Sequence, residues 1–147
     1  MRSRKFSIGI SLALALASTL LLTGGAMAGG RPISVELTGA AEAPGPGDPD
    51  GSGTASFTFN AGTGEVCFEY SVTGVAPLTA AHIHIAPAGS PGPVVIPMLP
   101  SSPTGGSGCV TADRDLIVAI LTNPSAYYFN VHNAEFLPGA LRGQLTR

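Results

Sequence analysis

Thr54-Ala55-Ser56-Phe57-Thr58-Phe59-Asn60 alternates apolar and polar residues, and the alternation resumes after Ala61-Gly62-Thr63-Gly64 in Glu65-Val66-Cys67-Phe68-Glu69-Tyr70-Ser71-Val72-Thr73. Successive strand residues point to opposite faces, so Ala55, Phe57 and Phe59 share one face and Val66, Phe68 and Tyr70 share another. Two such runs joined by a Gly-containing turn predict a β-hairpin with one face for a core. Cys67 lies on the other face, with Glu65 and Glu69. If that face is exposed, a cystine at Cys67 would tether a loop across it.

The same period extends outward. Ile33, Val35 and Leu37 predict a first strand, and Ala43–Gly53 is a Pro/Gly/Asp loop. Strands are predicted at Thr79–Ile85, Val94–Ile96, Cys109–Thr111, Ala126–His132 and Ala140–Thr146. Ala86–Pro93 and Pro100–Gly108 read as loops, and Leu137-Pro138-Gly139 as a turn. One helix is predicted over Asp113–Leu121. Asp113 caps it, Asp115 suits its positive first turn, and Asn123-Pro124 ends it. Leu116, Ile117, Ile120 and Leu121 form its apolar stripe. Seven or eight short strands with one helix predict an all-β, antiparallel β-sandwich.

The N-terminus reads as an address. Arg2, Arg4 and Lys5 precede an apolar run from Phe6 to about Leu22, and Ala26-Met27-Ala28 follows. This is the pattern of a secretory signal peptide cleaved after about Ala28. Residues 1–28 are the predicted signal peptide and residues 29–147 a single domain, secreted or periplasmic. Beyond Ala28 there are four Arg, no Lys and nine acidic residues, a net charge of −5. That balance argues against nucleic acid and against an anionic membrane surface as partners, and favours a soluble monomer. Cys67 and Cys109 are the only cysteines. In an oxidising compartment they predict one disulfide, closing a loop of about 43 residues worth roughly 4 kcal/mol.

The three histidines carry what chemistry there is. His82 and His84 lie two apart in Ala81-His82-Ile83-His84-Ile85 and project from one face of a strand; His132 lies in Asn130-Val131-His132. A third imidazole from a neighbouring strand would complete a three-nitrogen site suited to copper or zinc, with an open position. The competing reading is structural: hydrogen bonds from His82 and His84 to loops, and His132 fixing the turn before Pro138. Arg142 would pair with Glu135 or cap carbonyls of the Gly92-Pro93 loop. There is no Gly-x-Ser-x-Gly elbow and no phosphate-binding loop, so no catalytic and no organic-cofactor residue is predicted. Asp48-Pro49-Asp50-Gly51 offers too few ligands in sequence for calcium.

Two motifs go further. His82-Ile83-His84 with Gly89-Ser90-Pro91-Gly92-Pro93-Val94-Val95 is one. Tyr127-Tyr128-Phe129-Asn130-Val131-His132 with Pro138-Gly139-Ala140-Leu141-Arg142-Gly143-Gln144-Leu145 is the other. In these the chain resembles the CHRD domain family, defined in chordin and widespread in secreted bacterial proteins, from about Ile33 to Leu145. Cys67 and Cys109 sit where many bacterial members carry a Cys pair. Ala86 stands where the family often has Gly, and Leu137 intervenes before a Pro that usually follows Glu-Phe directly; both departures fall in loops. The resemblance implies an immunoglobulin-like, superoxide-dismutase-like sandwich and no established general activity. His-x-His on one strand plus one His on another is similar to the copper-ligand pattern of copper-zinc superoxide dismutases, in which an arginine lines an anion channel, a part open here to Arg142. Those enzymes also need a bridging fourth His and a zinc cluster, and the chain has three His in all. The expectation is therefore a non-enzymatic extracytoplasmic binding or structural module, its partner an extracellular protein or surface ligand. The alternative is a mononuclear copper or zinc protein using His82, His84 and His132.

Overall fold

The structure, a computed structural model, describes residues 32–147, so the predicted signal peptide lies outside the described residues. The strands are β1 (Ile33–Thr38), β2 (Ser52–Asn60), β3 (Glu65–Thr73), β4 (Leu78–Ile85), β5 (Val94–Met98), β6 (Gly105–Thr111), β7 (Tyr127–Asn133) and β8 (Leu141–Gln144). Helix α1 (Arg114–Thr122) lies between β6 and β7. All strands pair antiparallel in one sheet, in the order β5-β4-β7-β8-β1-β2-β3-β6.

The predicted hairpin is β2–β3, in register from Ser52↔Thr73 to Asn60↔Glu65. Its turn begins at Asn60, whose side-chain oxygen accepts from the backbone N–H of Gly62 and Thr63. Ala55, Phe57, Phe59, Val66, Phe68, Tyr70 and Val72 are all buried, as the alternation requires.

The sheet folds over on itself. In sheet order β7 and β3 are four strands apart, which in a flat sheet is about 19 Å. Yet the rings of Phe129 on β7 and Tyr70 on β3 are 5.1 Å apart, and Phe129 lies 5.1 Å from Phe57 on β2. Inward residues from both halves thus form one core, which Ile117 and Ile120 of α1 complete at one end. The helix is capped as predicted, the Asp113 carboxylate accepting from the N–H groups of Asp115 and Leu116. The segment between the two free edges, β5 and β6, is tied to the rest of the sheet. The carbonyl of Pro103 there accepts from Leu78 N–H at the start of β4, and that of Thr104 accepts from Val72 N–H near the end of β3. β5 carries Pro97, opposite His82.

Two expectations are corrected in detail. β6 begins at Gly105, not Cys109: Gly105-Gly106-Ser107-Gly108, read as loop, pairs with Phe68–Ser71. Glycine carries no strand signal, but a Cβ at Gly106 would sit 2.8 Å from the Tyr70 hydroxyl, so the core ring dictates the glycine. The cystine Cys67–Cys109 exists, but it tethers no loop. The two residues are direct cross-strand partners, and the bond staples β3 to β6.

Candidate functional site

β7 is buried on both faces. Phe129 and Val131 point into the core; Tyr128, Asn130 and His132 point outward. The β4–β7 register sets Ala80 opposite His132, His82 opposite Asn130 and His84 opposite Tyr128. On the other side β8 sets Arg142 opposite Asn130 and Gln144 opposite Tyr128. One patch of the outer face therefore collects all three histidines with Asn130, Tyr128 and Arg142.

Two loops roof this patch, held by the side chains they cover. Arg142, 1 % exposed, donates to the carbonyls of Ser90 (2.9 Å) and Pro87 (3.0 Å). Gln144 donates to the Ala86 carbonyl at 2.8 Å. The Arg142 guanidinium lies 3.4 Å over the Tyr128 ring, a cation–π contact, and the His84 ring stacks on Tyr128 at 4.7 Å with planes 7° apart. Arg142 thus caps loop carbonyls, as one structural reading anticipated; the pairing with Glu135 is not formed. Its burial also leaves it unable to line an open anion channel. The second loop, after β7, is turned by Asn133, whose side-chain oxygen accepts from the N–H groups of Glu135 and Phe136.

The histidine tautomers follow from the roof. A carbonyl can only accept. His84 Nδ1, 2.8 Å from the Gly92 carbonyl, therefore carries hydrogen, and so does His132 Nδ1, 2.9 Å from the Leu137 carbonyl. In the neutral rings each Nε2 then presents a lone pair. His84 Nε2 is buried with no hydrogen-bond partner. His132 Nε2 lies 3.1 Å from His82 Nδ1. One ring nitrogen from each histidine falls within 4.8 Å of the others. Leu137, the residue that departs from the family spacing, supplies the carbonyl that orients His132.

The electrostatics keep the rings neutral. Burial, then the neighbouring His132 and His84, pushes His82 down to about 4. Burial also lowers His84 and His132, although the Gly92 and Leu137 carbonyls oppose it and the Asn130 side chain helps oppose it at His84. Neutral imidazole is the metal-binding form. Glu42, from the loop after β1, sits against Asn130 and Arg142, and burial pushes its carboxyl up to about 7. Sequence reasoning placed Asn130 on this face but missed Glu42, which lies just before the Pro/Gly loop in a segment with no periodicity.

The structure thus brings together the three predicted ligand residues. Three converging neutral imidazoles, two fixed by carbonyls, match the way protein metal sites orient histidine ligands. Elsewhere, Glu65 lies beside Cys67 and Cys109, but a disulfide offers no thiolate. A shallow depression of about 550 Å³ lies on the outer face of β1–β3, among Ser34, Glu36, Thr54 and Ser56, and holds no comparable set of ligands.

Among known proteins, the sequence model of the CHRD domain matches residues 33–145. No curated protein and no solved structure gives a significant match.

Proposed function

The chain belongs to the CHRD domain family, and we propose that it is an exported, non-enzymatic binding module whose ligand is a single copper or zinc ion held by His82, His84 and His132. The observation that carries this reading is the buried, unpartnered Nε2 of His84 in a cluster where one ring nitrogen of each histidine lies within 4.8 Å of the others and His82 Nδ1 is 3.1 Å from His132 Nε2. A buried polar atom without a partner costs on the order of 1–3 kcal/mol, and a bound cation would remove that cost. Such an ion would be held by neutral nitrogen donors, a set that suits copper and zinc rather than calcium or magnesium.

Catalysis is not part of the proposal. The chain has no fourth histidine to bridge a second metal, and Arg142, which could have guided an anion, is committed to the roof. Export is supported by the leader-like N-terminus and by the disulfide. No helix among the described residues is long and apolar enough to cross a membrane.

The test is metal analysis of protein purified from periplasm or medium, followed by copper and zinc titration. Wild type is expected to take up one equivalent, and the His82→Ala/His84→Ala/His132→Ala variant none. At a free-metal concentration of 100 times Kd, wild type should gain about 2.7 kcal/mol of stability, read as a raised Tm. Equal binding by the triple variant would refute the proposal.

A further inference from the structure

We infer that Asn130 is a fourth ligand, its amide oxygen closing the three-histidine site into an N3O set. The inference rests on the metal-site reading above and gives it a coordination number. Asn130 is the direct cross-strand partner of His82 and lies two residues before His132 on the same face. Its side chain is polar, in a residue only 1 % exposed, and aimed into the cluster. The Asn130 Oδ1 atom lies 3.1 Å from His132 Nε2. With His132 Nδ1–H committed to Leu137, that contact sets an acceptor against a lone pair. A cation between them would turn this repulsion into two bonds.

The spacing fits. Two ligand atoms, each about 2.0–2.1 Å from a tetrahedral zinc, stand about 3.3 Å apart. His82 Nδ1 and Asn130 Oδ1 are both 3.1 Å from His132 Nε2. His84 Nε2 is left as the remaining corner, buried and unpartnered. A closed N3O site leaves no position for water or substrate, so the ion would be held rather than used. A merely structural Asn130 would turn its amide by half a rotation and donate Nδ2–H to His132 Nε2, and that arrangement is the competitor the experiment must separate.

Cobalt(II), a coloured substitute for zinc, reports coordination number directly, because four-coordinate tetrahedral cobalt absorbs visible light far more strongly than hydrated, higher-coordinate cobalt. Wild type, Asn130→Leu and Asn130→Asp are titrated with cobalt and then with zinc. Wild type and Asn130→Asp, which keeps an oxygen donor, should give the intense visible band. Asn130→Leu, where water would take the vacated position, should give a shifted band and bind zinc about 10- to 100-fold more weakly. An unchanged spectrum and affinity in Asn130→Leu would overturn the ligand role and leave the three-histidine site standing. Failure of wild type to bind cobalt, zinc or copper would overturn both readings. Should Asn130→Leu not fold, the side-chain Cγ resonance of Asn130 in wild type decides. A shift on zinc loading is expected from coordination, and no shift overturns it.

Discussion

The outer faces of the two halves of the sheet obey one alternation and meet different fates. On β2 and β3, Ser52, Thr54, Glu65, Glu69, Ser71 and Thr73 point to water and are exposed. On β4, β7 and β8, the corresponding outward positions hold His82, His84, Tyr128, Asn130, His132 and Arg142 beneath two loops. The pleat decides only which residues point away from the core; the roof decides whether pointing away means solvated. Polar residues under a roof must find partners, and those that do not, such as His84 Nε2, are where a ligand belongs.

The largest break in that contrast should come from Arg142→Met. It removes a buried cation together with its bonds to the Ser90 and Pro87 carbonyls. We expect a loss of about 3–5 kcal/mol in urea unfolding. Thr54→Ala on the open face should change stability by no more than about 0.5 kcal/mol. Equal costs would remove the distinction between the faces.

The open face has one strong feature of its own. Replacing Cys67 and Cys109 by Ala frees a 42-residue separation in the chain and should cost about 2–4 kcal/mol, measured against wild type without reductant. Metal affinity should be unchanged, because the cystine lies on β3 and β6, away from the roofed patch. A parallel loss of metal binding would show that the two regions are coupled.

The smallest expected effect sharpens the contrast through pH. The Glu42 carboxyl titrates near 7 in the fold against 4.5 ordinarily. Between those values the native state keeps a proton the unfolded chain has released, so its stabilising contribution is present below about pH 4.5 and lost as pH rises to 7. Glu42→Gln should therefore be more stable than wild type at pH 8 and nearly equal to it at pH 4. The gap should be about 1 kcal/mol, after discounting for the partial exposure of the carboxyl. The His82 shift has the opposite sense, its contribution being lost as pH falls from 6.5 toward 4. Removing Glu42 should thus leave a steeper acid-side decline in melting scans. A pH-independent gap would mean that Glu42 is not buried against Asn130 and Arg142 as described.

Much of this was legible in the chain. The β2–β3 hairpin follows from alternation alone, and Asp113 announced its helix. The histidine pair was readable because a strand period of two places His82 and His84 on one side. What was not legible came from backbone and from loops. The carbonyls of Gly92 and Leu137 that set the tautomers are invisible in side-chain patterns. Glu42 reaches the site from a segment without periodicity. The first half of β6 was hidden because its glycines answer to the Tyr70 ring rather than to strand propensity.

Pro97 has a consequence for life at high concentration. It sits next to the last residue of β5, a free edge, opposite His82. Lacking an N–H, it breaks the row of donors that an incoming strand would need. The other edge, β6, is blunted where Ser101 and Ser102 donate to the Gly105 carbonyl. A sheet curled almost shut and interrupted at both remaining margins leaves an incoming strand few unpaired backbone donors to pair with.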